Sequence, residues 1–135
     1  MVRRMSTTEY LWAQWGVLGS IVAILVLTVL ELPPPIGFET RAQSDVSPLW
    51  LALFATILIS EIAAMLLIFR RPIWGARLAV IAGCLNIVQI LADQLHLMQP
   101  EAAPAGYAVL ELVVGAFSIS VIYFACRVLR VAPAE

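Results

Sequence analysis

Six side chains capable of acid, base or hydrogen-bond chemistry sit in stretches that are otherwise apolar. Between Leu78 and Met98 the sequence reads LAVIAGCLNIVQILADQLHLM, with Asn86, Gln89, Asp93 and His96 at i, i+3, i+7 and i+10. That spacing puts the four on one face of an α-helix. Glu61 is the one charged residue in LALFATILISEIAAMLLIF, and Glu111 the one in GYAVLELVVGAFSIS. Carboxyl, amide and imidazole groups together can hold a substrate and move a proton. Their surroundings decide whether they do.

The surroundings are those of a membrane protein. Of 135 residues, 62% are hydrophobic and 13% charged, against about 25% charged in a soluble domain. The mean hydropathy is +0.96. All eight basic residues are Arg, without a basic tract or nucleic-acid motif, so no nucleic-acid partner is expected. Cys84 and Cys126 lie in apolar runs and form no C-x-x-C. They read as small buried hydrophobes.

Four apolar segments can position the polar groups: residues 10–30, 49–69, 78–98 and 106–126. Each makes about 31 Å of helix, the thickness of a bilayer core. In lipid every backbone N–H and C=O must bond within its own segment, so helices are expected. The fold class predicted is an all-α, up-down-up-down four-helix transmembrane bundle forming one domain. The first apolar run is too long for a signal-peptide core and is read as a retained span. Arg3, Arg4, Arg70, Arg71, Arg77, Arg127 and Arg130 alternate correctly against Arg41 alone. Both termini are therefore expected to be cytoplasmic, in a bacterial inner (plasma) membrane. Tyr10, Trp12, Trp15 and Trp74 would mark the inner interface, Trp50 and Tyr107 the outer one. The turn RRPIWGAR makes spans two and three a tight hairpin. Residues 31–48, beginning ELPPPIGFE, form the longest connection and are a candidate lid over the outer mouth.

Counting about 1.5 Å per residue aligns the polar groups in depth. Glu61 and Asn86 fall level near the midplane, each about 18 Å below the outer helix ends. Asp93 and Glu111 fall level about 7 Å below that surface. Gln89 lies between the tiers, and His96 and Tyr107 at the mouth. The expected picture is a polar pocket entered from outside and closed below by Glu61.

Intramembrane ionisable residues are functional candidates by default. A carboxyl group in an apolar pocket suits general-acid or hydrogen-bond-donor work; the competing reading makes Glu61–Asn86 a helix–helix staple. Asp93 could orient His96 as a base near the surface, or the two could be a plain interfacial pair. Asp93, His96 and Glu111 lack the support of any metal motif, so no metal or cofactor is expected. Tyr107, Glu111, Gly115 and Ser118 share a face of span four, where Gly115 allows close packing or leaves room for a ligand. Gly16 and Gly19 are expected to mark a packing face of span one.

The segments ISEIAAML (59–66) and RLAVIAGCLNIVQ (77–89), with Tyr107 four residues before Glu111, resemble a small bacterial four-span family of unknown function. That family is similar in outline to the DoxX-like membrane proteins. The resemblance covers about residues 50 to 130. Glu61, Ala82–Gly83 and Glu111 fit its pattern, while Asn86 stands where the family tends to carry His. It implies the four-span fold and the importance of Glu61 and Glu111, and no activity.

Three functions are compatible with this pattern. The first is acid/base catalysis on a lipophilic small molecule, of isomerase, cyclase or epoxide-opening type. In it Glu61, Asp93 and Glu111 are catalytic, and Asn86, Gln89, His96, Tyr107 and Ser118 bind substrate. The second is a proton-coupled small-molecule transporter working as a homo-oligomer, such as a homodimer. The third is an accessory subunit of a membrane complex. The blind shape expected of the pocket favours the first.

Overall fold

The computed structural model describes residues 7–31, 47–97 and 105–131. All regular structure among them is helical: α1 Thr7–Leu30, α2 Pro48–Leu67, α3 Pro72–Gln94 and α4 Ala105–Val131. Each helix is long and apolar enough to cross a membrane. Ile59 and Leu112, both 67% exposed, point outward from the middle of α2 and the first third of α4. Large apolar side chains exposed at such positions are at home in lipid, where they cost nothing. The candidate lid and the 99–105 connection fall largely on residues 32–46 and 98–104, outside the described residues.

The helix starts follow local rules. Pro48 and Pro72 open α2 and α3, where a missing N–H is harmless. The Ser47 side chain caps α2 by accepting from the Leu49 N–H at 3.2 Å. Helix α3 differs from its expected span at both ends. It begins at Pro72, inside the expected turn, and ends at Gln94.

The stop is a Schellman motif. The His96 N–H bonds to the Asp93 carbonyl and the Leu97 N–H to the Ala92 carbonyl, both at 2.9 Å. His96 takes the left-handed position with φ 54°. The helical face that carries Asn86, Gln89 and Asp93 therefore ends before His96.

Helix α1 packs on α4, α4 on α3, and α3 on α2, whereas α1 and α2 meet far less. Two side-chain ties join α1 to the chain at the end of α2, both at one end of the bundle. There Gln14 Nε2 donates to the Ile68 carbonyl at 2.6 Å, and the Trp15 and Phe69 rings lie 5.1 Å apart. This is the Arg-rich end, which also holds Arg70, Arg71 and Arg77 beside the α2–α3 turn and Arg127 near the end of α4.

Small residues set the close approaches. A Cβ on Gly75 would come within 2.6 Å of the Ile68 backbone nitrogen, and one on Gly16 within 2.5 Å of the Phe124 ring. One on Gly83 would meet Ile122 at 2.8 Å and the Ser118 carbonyl at 3.0 Å. Val17, Ile21, Ile68, Val121 and Val128 fill the space between with essentially no exposure. Two glycine expectations change. Gly19 has nothing within 4 Å of a built Cβ, so it marks no packing face. At Gly115 a Cβ would make ordinary contact with Ile90 at 3.6 Å, so the tight α3–α4 approach lies at Gly83 instead. Cys84 is exposed and Cys126 half-buried, both as free thiols. The expectation of two buried cysteines fails because position 84 faces outward on α3.

Candidate functional site

The polar groups gather in the half of the bundle away from the Arg-rich end. Glu61, 2% exposed, faces inward from α2, with Ile57 and Ala64 buried one turn away on either side. Its Oε1 accepts a hydrogen bond from Asn86 Nδ2 at 2.7 Å. The expected level pairing of α2 with α3 is thus formed. It fixes the carboxyl by a group that donates and carries no charge.

A second cluster lies nearer the helix ends. Glu111 on α4 accepts a hydrogen bond from Gln94 Nε2. Asp93 lies within hydrogen-bonding reach of Glu111, and Glu31 is close enough to act on it electrostatically. Asp93 and Glu111 are both buried.

A single cavity joins the two clusters. Thr28 and Glu31 at the end of α1, Glu61 on α2, Asn86 and Gln89 on α3, and Tyr107 and Glu111 on α4 supply its polar walls. Phe54, Ile57, Ile90 and Val114 supply apolar ones. Phe54 is stacked against Trp50, their rings 5.3 Å apart and 4° from parallel. The free space at the centre is about 20 Å³, room for one water and little more. Below it, toward the Arg-rich end, lies the apolar core of Val17, Ile21, Ala64, Ala79 and Val121.

Glu61, Asn86, Gln89, Tyr107 and Glu111 line the cavity, and Asp93 adjoins it through Glu111. His96 and Ser118 are not among its walls. His96 is exposed in the turn beyond α3, because the helix stops two residues before it. The Ser118 hydroxyl donates to its own helix at the Val114 carbonyl, at 2.9 Å, and is fully buried at the α3–α4 contact. Tyr107, expected as an interface marker, is 4% exposed and turned into the bundle. Among the described residues, no three His, Cys, Asp or Glu side chains are placed to hold a metal ion.

Glu31 and Gln94 are site residues that the helical-face pattern does not pick out. Glu31 follows the last residue of α1, at the level of Tyr107, and that depth was its available signal. Gln94 is one residue off the polar face, about 100° around the helix. As the last residue of α3 it can still reach across to Glu111. No family model, no curated protein and no solved structure matches the chain.

Proposed function

We propose that this is an integral membrane protein that transfers protons between its carboxyl groups and a lipophilic small molecule, as an isomerase, cyclase or epoxide-opening enzyme does. The observation that carries the reading is the cavity shared by Glu61 and Glu111, with Asp93 bonded behind Glu111. Such reactions need one group to give a proton and another to take it, held apart in surroundings that exclude water. In this reading Glu61 is the acid, and Glu111 or Asp93 is the base on the other side of the cavity. Asn86 holds Glu61 in place, and Gln89 and Tyr107 present polar atoms to a bound molecule.

A molecule larger than water needs the cavity to widen. The side formed by α1 and α2 is the one able to do so, because those helices are tied mainly at the Arg-rich end. A lipophilic substrate would enter there from the bilayer. By the Arg distribution both termini are cytoplasmic and the cavity lies in the outer half of a bacterial inner membrane, in an up-down-up-down bundle. Kinship with DoxX-like proteins belongs to the same proposal and rests on the segments around Glu61, Asn86 and Glu111.

The small free space favours one other reading. A site that admits water and protons, with carboxyls descending from one surface to the midplane, also suits a proton-coupled transporter acting as a homo-oligomer.

Carbodiimides, which modify protonated carboxyl groups, test the site. In native membranes a lipid-soluble carbodiimide is expected to modify Glu61, as read by peptide mass spectrometry. Members of a panel of lipophilic small molecules should protect it, and turnover of the protecting compound should vanish in Glu61→Gln. Protection with compound transported unchanged selects the transporter. A Glu61 that never reacts in the folded protein leaves only a structural staple and sinks both readings.

A further inference from the structure

Trp50, expected to mark the outer interface, keeps its polar atom within the protein. An interfacial tryptophan holds its ring in apolar surroundings and its N–H among headgroups or water. Here the residue is half-buried. Its Nε1 is shut off from the surface, with no hydrogen-bond partner among the described residues. Buried donors of this kind are rare, because an unmade bond costs more than an ordinary one gains. The position of the ring indicates where a partner would come from. Residues 50, 54, 57 and 61 recur at helical spacing on the inward face of α2. Phe54, Ile57 and Glu61 line the carboxyl cavity. The Trp50 ring stacks on Phe54, 5.3 Å between centroids and 4° from parallel, so it continues that wall one turn outward. The amides of Asn86 and Gln94, by contrast, are spent on Glu61 and Glu111.

We propose that Trp50 is a specificity-determining residue of the carboxyl cavity, its Nε1–H donating to a neutral oxygen at the outer end of an elongated lipophilic ligand. The inference rests on the proposed reading of the cavity as a small-molecule site, and it adds the chemical class of the molecule. An indole N–H donates and cannot accept, so the group that matches it must be an acceptor. Glu31, Asp93 and Glu111 stand at the same end of the bundle, where a carboxylate or phosphate on the ligand would meet like charge. That leaves a neutral oxygen, such as a ketone carbonyl. Trp50 lies eleven residues before Glu61 on α2, roughly 16 Å along the helix. A molecule with its oxygen on Trp50 and its other end at Glu61 is therefore extended and not compact. Phe54 and Ile57 on one side, with Ile90 and Val114 on the other, supply the apolar lining between those ends. The widening that admits the molecule also brings Nε1 into contact with it.

Ultraviolet resonance Raman spectroscopy tests this on a chain carrying Trp12→Phe, Trp15→Phe and Trp74→Phe, which leaves Trp50 as its one indole. The three replaced rings are exposed at the Arg-rich end. The indole N–H band separates a free donor from a hydrogen-bonded one. The probes are methyl nonyl ketone and undecane, equal in chain length, added to delipidated protein in micelles. The band is expected at its unbonded position in the protein alone and with undecane, and at its bonded position with the ketone. In the otherwise unaltered chain, Trp50→Phe keeps a ring on Phe54 and removes the donor. It should raise the ketone concentration that half-protects Glu61 from carbodiimide by about tenfold, with protection by undecane unchanged. A bonded N–H in the protein alone, a band that the ketone does not move, or equal ketone protection with and without Trp50 overturns the inference. The two readings fail separately. A Glu61 that never reacts removes the proposed chemistry while the Raman band still reports binding at Trp50. Ketone protection of Glu61 that ignores Trp50→Phe leaves that chemistry standing and removes the inference.

Discussion

Replacing Asn86 by Leu removes the side-chain amide that donates to Glu61, and the consequence can be worked from the structure. Glu61 is 2% exposed, and its Oε1 receives the Asn86 amide at 2.7 Å. Without the amide the carboxyl group stays buried with a lost partner, which costs about 1–3 kcal/mol. Interhelical hydrogen bonds within membranes couple by about 0.6 kcal/mol on average and about 1.7 at most. The buried position of this pair argues for the upper part of that range. Glu61→Leu on its own strands the Asn86 amide at a similar cost. The double variant Glu61→Leu/Asn86→Leu strands neither group and should be more stable than the sum of the two singles by about 1–2 kcal/mol. Reversible unfolding in mixed micelles, titrated with dodecyl sulfate, gives the three differences and closes the cycle. Glu61→Gln completes the set. Its amide oxygen can still accept from Asn86, so stability should hold within about 0.5 kcal/mol while the exchangeable acid is gone. A coupling energy within about 0.3–0.5 kcal/mol of zero, or an Asn86→Leu variant no worse than the double, would refute the claim that the two side chains act as one unit.

Other variants probe the frame around the site. Gly75→Ala drives a methyl against Ile68 backbone atoms at 2.6–2.7 Å and should destabilise the α2–α3 hairpin by about 1–3 kcal/mol; Gly19→Ala, facing open space, should be neutral in the same titration. His96→Gly relieves a left-handed residue and should stabilise by about 0.5–1 kcal/mol without altering carbodiimide labelling of Glu61. A loss of labelling there would return His96 to the site. Gln94→Met removes the amide that fixes Glu111 and should raise the reactivity of Glu111 toward a water-soluble carbodiimide, with Glu61 unchanged; equal reactivity would mean that Gln94 does not shield it.

How far the site could be read in advance followed the reach of helical periodicity. Glu61 with Asn86, and Asp93 with Glu111, were legible because depth along a membrane helix is nearly linear in residue number. The same rule failed at His96, where periodicity carries no information about where a helix stops. The stop depends on two backbone hydrogen bonds and one left-handed residue, and His is not the residue that usually announces it. Ser118 lies on the expected face of α4. It is spent on its own helix, since a hydroxyl in an apolar contact bonds to the nearest carbonyl. Glu31 escaped because it stands just past the end of a helix, where an acidic residue normally meets solvent. The order of packing, with α1 against α4 and little joining α1 to α2, left no mark in the sequence. It depends on which faces carry glycine and alanine at matching depth.

The bond between Glu61 and Asn86 also bears on how the chain is made. During synthesis α2 emerges before α3, carrying a carboxyl into the bilayer ahead of the amide that bonds it. The partner lies 25 residues downstream on α3. The tight Arg-bearing turn at 68–71 lets α3 fold back at once. The two segments are therefore expected to leave the insertion machinery together, as a hairpin already bonded at its centre. A nascent chain truncated before Asn86 would be held back with α2 still waiting at the membrane's edge.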